Sequence, residues 1–349
     1  MLKMKRIRIA LVGCGRISQN HFESFKELRG KYELAAVCDT VKERADAAAQ
    51  KYGAKAFYDY SEMLKYGEFE VVTIATPSGL HPELGVLAAK AGKHVVSEKP
   101  MAVELKKADE LIDACDKYGV KLFVVKQNRL NATMQLLKRA VDKNRFGRIF
   151  GLYVNVLWQR PQSYYDLAPW RGTRLLDGGS FMNQASHYVD SLLWLGGDIV
   201  EVEGFTATME RKIEMEDSGS AIFKFKSGAI GSMNVSMLTY PKNIEGSVMI
   251  IGEKGTVKVG GTSINHIDHW EFSDYDDDDK LVESSNYQPP NVYGYGHSPY
   301  YENVYSVLTS NGKPGTDGRE GRKSLELILA IYQSAKEGRS IKLPLETNR

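Results

Sequence analysis

Short apolar runs alternate with amphipathic stretches along the first third of the chain. Residues 7–12, 33–38, 70–75, 94–97 and 121–125 are mostly Val, Ile, Leu and Ala, as strands buried on both faces of a parallel sheet require. Between them, residues 16–28, 41–52, 80–91 and 103–118 carry helical periodicity. This rhythm predicts an α/β domain with an open parallel sheet wound on both faces, over residues 1–127. Beyond about residue 128 the pattern changes. A helix over 131–143 precedes longer strand-like runs at 149–159, 200–209, 218–226, 229–237, 246–251 and 256–259. Lys226-Ser227-Gly228 and Gly252-Glu253-Lys254-Gly255 read as hairpin turns. Residues 180–195 and 322–336 read as helices. Residues 128–349 are therefore expected to form an α+β domain on a large, open, mainly antiparallel sheet. One face of such a sheet is covered by its own helices and the other is free for solvent or a second subunit. Homo-oligomerisation through this sheet, as a dimer or tetramer, is expected.

A length of 349 residues suits two domains. The net charge of +2 supplies no field for nucleic acid or an acidic membrane, and no apolar run is long enough to span a bilayer. The basic start and short apolar run before Gly13 resemble a leader faintly, but Arg8 interrupts the run and a glycine turn follows, so it reads as a first strand. No twin-arginine leader precedes Ile7, which disfavours a periplasmic enzyme. Cys14, Cys38 and Cys115 show no CxxC spacing, so neither a disulfide framework nor a zinc site is expected, and no metal. A cytoplasmic location is the expectation. The acidic run Asp276–Asp279 reads as a solvated loop tip. The tyrosine-rich stretch 286–305 is expected to pack across the sheet or lie near the active site.

The first apolar run ends in Gly13-Cys14-Gly15-Arg16-Ile17-Ser18. Gly13 permits a tight turn, Gly15 lets the backbone approach a pyrophosphate, and the amides at the start of the Arg16 helix, with Ile17, face the phosphates. Ser18 stands where a third Gly or Ala is usual, a small residue that still allows close packing. Asp39 ends the second strand, where a carboxylate can hold ribose hydroxyls; the plainer alternative is a helix N-cap. An acid there, with no cation beside it in Thr40-Val41, favours NAD over NADP. Thr76 and Ser78 follow another strand end and are expected to line the cofactor channel, as is His81, unless it is a surface residue.

Lys99, between Glu98 and Pro100, leaves a strand on the same sheet edge. A lysine there can take a proton from a substrate hydroxyl while hydride goes to nicotinamide, if burial or nearby positive charge favours its neutral form. The alternative is an exposed lysine opening a helix. In Asp177–Asp190, a continuous helix from Ser180 would place Asn183 and His187 one turn apart on one polar face with Ser180 and Gln184; the alternative for His187 is a core histidine. Residues 158–174 hold Arg160, Arg171 and Arg174 among Trp158, Tyr164, Tyr165 and Trp170. They suit either an anionic, ring-bearing ligand or inter-subunit packing.

Gly13-x-Gly15, Thr76-Pro77-Ser78, Glu98-Lys99-Pro100, Trp170-Arg171 and Gly178-Gly179…His187…Asp190 resemble the glucose-fructose oxidoreductase/inositol dehydrogenase/MocA family over nearly the whole length. The resemblance implies an N-terminal Rossmann domain, a C-terminal α+β domain, and Lys99 and His187 as the proton-handling pair. It also implies cofactor contacts from Glu98, Lys99, Trp170 and Arg171. Many relatives carry Asp where this chain has Asn183, which puts a Lys-Asp-His relay in doubt. Lys126–Asn131, Trp158–Tyr165, Phe181–Tyr188 and Leu238–Asn243 are similar to the WlbA/WbpB group of that family. That group uses NAD to oxidise C3 of UDP-N-acetylglucosaminuronic acid for diacetamido uronic acids of bacterial surface polysaccharides such as lipopolysaccharide. Some of its members reoxidise bound NADH with 2-oxoglutarate. The resemblance implies a UDP-sugar site that includes Lys99, Asn128, Arg160, Tyr165, Asn183, Gln184 and His187. Competing readings are an inositol or simple-sugar dehydrogenase, and a non-catalytic NAD-binding regulator on the same fold.

Overall fold

The computed structural model describes residues 6–288, 292–310 and 312–345. Its chain divides into two compact units, one of residues up to Lys126 together with His297–Arg322, the other of Gln127–Gly296 with Lys323 onward.

In the first unit, β1 (Ile7–Val12), β2 (Tyr32–Cys38), β3 (Lys55–Phe57), β4 (Val71–Ile74), β5 (His94–Ser97) and β6 (Leu122–Val124) form one parallel sheet in the order β3-β2-β1-β4-β5-β6. Helices α1 (Ser18–Glu27), α2 (Lys42–Tyr52), α3 (Tyr60–Tyr66), α4 (His81–Lys90) and α5 (Leu105–Lys117) make the crossovers. Strand order reverses between β1 and β4, so their carboxyl ends diverge and leave a crevice there, the place where ligands of such sheets bind. The sequence pattern anticipates every strand of this sheet but β3, which is short and only half-buried.

The second unit opens with α6 (Ala132–Asp142) and β7 (Ile149–Leu157), followed by α7 (Gln162–Asp166), α8 (Gly179–Met182) and α9 (Ser186–Gly196). Strands β8 (Ile199–Ala207), β9 (Ser218–Phe225), β10 (Ile230–Ser236), β11 (Glu245–Gly252), β12 (Gly255–Gly260) and β13 (His266–Phe272) and the short α10 (Val282–Ser285) come next. Helix α11 (His297–Ser310) belongs to the first unit, α12 (Gly318–Glu337) begins in the first and ends in the second, and β14 (Ile341–Lys342) closes the described chain. The second sheet runs β13-β12-β11-β7-β10-β9-β8-β14, antiparallel except where β10 pairs with β7. Along β9, Ala221, Phe223 and Phe225 point into the core while Ser220, Ile222 and Lys224 point out, the period-2 alternation of a half-covered sheet. Phe205, Ile222, Ile230 and Phe150 stand exposed on their strands.

Within 128–349, helix α11 packs with the first unit, and two further expectations need correction. Tyr301 is fully buried there, edge-on to Phe25 and Tyr32, and its carbonyl accepts a hydrogen bond from the Tyr32 hydroxyl at 2.7 Å. Each such ring contributes about 1.5–3 kcal/mol by leaving water, which fixes where the helix goes. Of the tyrosine-rich stretch, 297–305 packs against α1 beside the Lys99 turn, while Asn286 and Tyr287 bond to β13 and Asn265 at the edge of the large sheet; residues 289–291 lie outside the described residues. The run Asp276–Asp279 is not a solvated tip. Asp276 caps its own turn, Asp279 accepts from Arg145 and Trp270, and Asp278 pairs with Arg139, so cations on and just after α6 offset the charge of all but the exposed Asp277.

The second correction concerns 180–195. The helix breaks at Asn183–Ala185 into α8 and α9. The Ala185 amide reaches back to the Ser180 carbonyl at 2.9 Å, and the Asn183 side chain turns to donate to Asp177. A short polar side chain with a competing partner releases the helical ladder, so Asn183 and His187 do not share a regular helix face.

Candidate active site

In the first unit, β1 leads into the glycine turn. Gly13 adopts φ +93°, and a Cβ on it would lie 2.6 Å from the Ala75 backbone, so the close approach of this turn to the end of β4 requires glycine. At Gly15 a Cβ would meet nothing, leaving open the space a pyrophosphate would take. Helix α1 then starts without a side-chain cap and without an acid in its first turn, so its first amides are available to an anion. Ser18 is fully buried and its hydroxyl donates to the Gly15 carbonyl at 2.6 Å. Arg16 is exposed and Ile17 half-buried at this turn. Asp39 braces it: one carboxylate oxygen accepts from the Cys14 amide and the other from the Val41 amide, both at 2.8 Å. These residues fit a dinucleotide, with Gly15 and the α1 amides at its phosphates and Asp39 at a ribose.

Thr76 and Ser78 leave β4 beside this turn, Thr76 half-buried and Ser78 buried. His81 lines nothing open; it is 1% exposed, with Nδ1 2.8 Å from the Pro100 carbonyl and Nε2 2.9 Å from the Thr76 carbonyl. Burial pushes its pKa down against the pull of those two carbonyls. His81 is a strut between the β4 turn and the turn after β5.

Lys99 stands half-buried on that second turn, and its bond to Pro100 is cis. Glu98 points inward. One carboxylate oxygen accepts from the Lys99 amide at 3.1 Å and the other from His21 Nε2 at 3.0 Å. His21 Nδ1 lies 2.7 Å from the Tyr301 hydroxyl, which lies 3.0 Å from Thr73 Oγ1. His297 Nε2 is 3.9 Å from Glu98. Burial would raise the Glu98 pKa, yet hydrogen bonds and charge from His21 and His297 hold it well below the usual range. Local motif reading finds neither His21, His297 nor Tyr301. The one available signal is a histidine on the buried side of α1, between Ser18 and Phe22.

In the second unit, a 3-10 turn at Gln127–Leu130 faces α9. His187 is buried, and the Gln127 amide nitrogen lies 3.0 Å from its Nε2. An amide nitrogen only donates, so Nε2 accepts and the ring proton sits on Nδ1. Arg129 clasps Asp190 through two bonds of 2.7 and 2.8 Å, both residues buried. Gln127 Oε1, Asn128 Oδ1 and Gln184 Nε2 are buried with no hydrogen-bond partner. Orphaned polar atoms this costly mark where a polar ligand belongs.

The arginine-rich segment follows β7. Arg160 lies 5.0 Å from the Trp158 ring and 5.4 Å from Tyr164; Arg171 lies 4.3 Å from Tyr164 and 4.8 Å from Trp170. Arg171 Nε is buried with no hydrogen-bond partner. Two guanidiniums against one ring suit an anion between them. Tyr165 is buried beneath, its hydroxyl pKa pushed up by burial.

Glu216, absent from the sequence reading, holds the α8 turn. Its Oε1 accepts from Ser180 Oγ (3.1 Å), the Phe181 amide (2.9 Å) and the Tyr332 hydroxyl (2.9 Å). A Cβ on Gly179, at φ +93°, would strike its other oxygen. Burial raises its pKa to about 7 from 4.5. The unfolded chain therefore releases this proton first, and stability falls as pH rises from the ordinary carboxylate range through about 7. The shift corresponds to about 3 kcal/mol. Glu216→Gln is expected to remove that slope, and urea unfolding at pH 5 and pH 8 checks it. An unchanged difference between the two pH values would show that Glu216 does not titrate there.

A phosphate-seating turn on a doubly wound sheet, with an acid for ribose and a lysine on the same edge, defines a nicotinamide-dependent oxidoreductase. The chain belongs to the Gfo/Idh/MocA oxidoreductase family: residues 7–126 match its NAD-binding Rossmann fold and residues 138–343 its C-terminal alpha/beta domain. It is an NAD-dependent dehydrogenase. Among solved structures it is similar to the WlbA dehydrogenase of Bordetella pertussis in complex with NADH and UDP-GlcNAcA. The two share 51% identity and a TM-score of 0.96 over 99% of this chain and 100% of that one. The WlbA dehydrogenase of Chromobacterium violaceum, with the same two ligands, gives 50% identity and a TM-score of 0.94 over 99% and 98%. A D-apiose dehydrogenase of Paraburkholderia graminis is 27% identical over 97% of this chain and 90% of its own length.

Proposed function

We propose that this enzyme oxidises the C3 hydroxyl of UDP-N-acetyl-D-glucosaminuronic acid to the 3-keto sugar, in the biosynthesis of bacterial surface polysaccharides such as lipopolysaccharide. The observation that carries the reading is Arg160 and Arg171 gathered on Tyr164, with a buried guanidinium nitrogen unpaired. It occurs in a chain half identical to dehydrogenases bound to this anionic sugar nucleotide. Bound NAD supplies the hydride acceptor, carbon 4 of the nicotinamide. Lys99 takes the proton of the C3 hydroxyl, and the C3–O bond becomes a carbonyl as the C3 hydrogen leaves with its electron pair. His187 donates from Nδ1 to the same oxygen. Asn128, Asn183 and Gln184 orient the sugar, Arg160 meets its carboxylate or a phosphate beside Tyr165, and Trp170 and Arg171 border the cofactor. Gly13, Gly15, Arg16, Ile17, Asp39, Thr76 and Ser78 seat the dinucleotide.

The test is incubation of the full-length protein with the UDP sugar and NAD, with and without 2-oxoglutarate, followed by mass spectrometry of the sugar nucleotide. Loss of two hydrogens is expected; turnover only when 2-oxoglutarate is present would assign it as the oxidant. Unchanged mass with NAD bound, and no competition by UDP against a plain sugar, would favour a simple-sugar dehydrogenase. No substrate at all would favour a regulator.

Among the described residues no helix is long and apolar enough to cross a membrane, and we place the enzyme in the cytoplasm, where nucleotide sugars and NAD are found together. The exposed Phe150, Phe205, Ile222 and Ile230 support assembly of copies through this sheet, as a dimer or tetramer. Sedimentation equilibrium of a Phe205→Glu/Ile222→Glu variant tests this; an unchanged mass would sink it.

A further inference from the structure

We propose that Glu98 is the positioning residue of Lys99, and that the buried cluster of His21, His297 and Tyr301 exists to hold its carboxylate against the Lys99 backbone amide. The inference rests on the reading of Lys99 as the base.

Glu98 is 4% exposed, in a place where a carboxylate is costly to keep. What the carboxylate does is accept the Lys99 backbone amide on one oxygen and His21 on the other. His21 is in turn fixed by the Tyr301 hydroxyl, and that hydroxyl by Thr73 in the middle of the sheet. The chain Thr73–Tyr301–His21–Glu98–Lys99 thus ties the lysine's main chain to β4, the strand whose end abuts the glycine turn. On the other side, His81 holds the Pro100 and Thr76 carbonyls. The turn that carries Lys99 is gripped on both flanks by buried, hydrogen-bonded side chains, as a base that must meet a hydroxyl within a few tenths of an ångström requires.

The cluster also sets charge. Titratable groups face Glu98 from every element packed on it: His21 from α1, His297, Tyr300 and Tyr301 from α11, His81 from α4, and Lys99. The Glu98 carboxylate accepts from the Lys99 amide at 3.1 Å, and the Lys99 charge is felt at both His81 and His297. Ligand atoms of His21, Glu98 and His297 lie within 4.8 Å of one another, a spacing that a metal could use, but His21 Nε2 and Glu98 are already bonded to each other at 3.0 Å. The direct bond joins two of the three without an ion, and His297 Nε2 stands 3.9 Å from Glu98.

Three variants separate geometry from charge. Glu98→Gln removes the charge and keeps the volume; Glu98→Asp keeps the charge and withdraws the oxygen from the Lys99 amide; Tyr301→Phe removes one hydroxyl and is the least disruptive. The titration of Lys99 is read directly, without substrate, from the pH dependence of its acylation by trace acetic anhydride, using peptide mass spectrometry on the full-length protein. Turnover and NADH affinity are measured alongside, and metal content is determined on the purified protein. In Glu98→Gln the lysine is expected to titrate at lower pH, because a neighbouring anion is gone, so more of it is neutral and the fall in kcat comes from lost positioning. In Glu98→Asp and Tyr301→Phe the titration stays near that of the parent. All three lower kcat, by about 10–100-fold for the Glu98 variants, with NADH affinity within about twofold. An unmoved titration in Glu98→Gln, an unaltered kcat in Tyr301→Phe, or a stoichiometric metal lost with Glu98 would overturn the proposal. The labelling needs no sugar, so a parent enzyme inert toward the UDP sugar would refute the functional reading while this test still stands.

Discussion

Lys99→Ala is expected to lower turnover of the UDP sugar on the order of 10³-fold while NADH stays bound with near-parental affinity. The asymmetry follows from where the parts sit. The dinucleotide seat is built from the glycine turn after β1, the start of α1, and Asp39 at the end of β2, and its bonds are to main-chain groups that Lys99 does not hold. The Lys99 turn is held from behind by Glu98 through the backbone amide, which alanine retains. What alanine loses is the amine that receives the hydroxyl proton, and an alcohol does not give up hydride readily while its oxygen keeps that proton. Lys99→Arg should be nearly as inactive, since a guanidinium stays protonated and only donates. Retention of most activity in either variant, measured by NADH formation under single-turnover conditions, would remove Lys99 from the role of base. Loss of NADH affinity to the same degree would make it a binding residue instead.

How far the chain discloses itself depends on how local the determining physics is. Strands β1, β2, β4 and β5 are legible because burial on both faces demands unbroken apolar runs, and the Gly13 turn because its φ and its 2.6 Å approach to Ala75 admit no other residue. Strand β13, His-Ile-Asp-His-Trp-Glu-Phe, is illegible because an edge strand with one buried side chain has no apolar pattern to read. The helix predicted over 180–195 has good periodicity and is still broken, by a bond from Asn183 to Asp177 that no period registers. The site divides the same way. Lys99 and His187 stand out through their neighbours in sequence. Glu98 was expected to face the cofactor, and its inward turn depends on Tyr301, more than two hundred residues further on. Gln127, Arg129 and Glu216 act through partners that sequence spacing does not bring near.

Arg129→Met is expected to cost about 3–5 kcal/mol of stability. The pair it breaks is bidentate and buried, 8% exposed at Arg129 and 2% at Asp190, so removing the guanidinium takes both of these bonds from a carboxylate held out of water. The guanidinium also lies 5.4 Å from the Trp194 ring on α9, and methionine fills only part of that space. Asp190 sits one turn beyond His187 on the same helix, and Arg129 two residues beyond Gln127. The clasp therefore sets the register in which Gln127 meets the imidazole, and turnover should fall more than NADH affinity. Adding Asp190→Leu removes the stranded charge, and the double variant should recover most of the stability, since a buried ion pair gives little over apolar groups of similar volume. It should not recover turnover, because the orientation that the two fixed bonds gave the 127–130 turn is gone. Urea unfolding of the parent, both single variants and the double variant measures the coupling, with kcat for each beside it. A single variant within about 1 kcal/mol of the parent would mean that the pair is solvated and weak, and a double variant that regains both stability and turnover would show that α9 finds its place without the clasp.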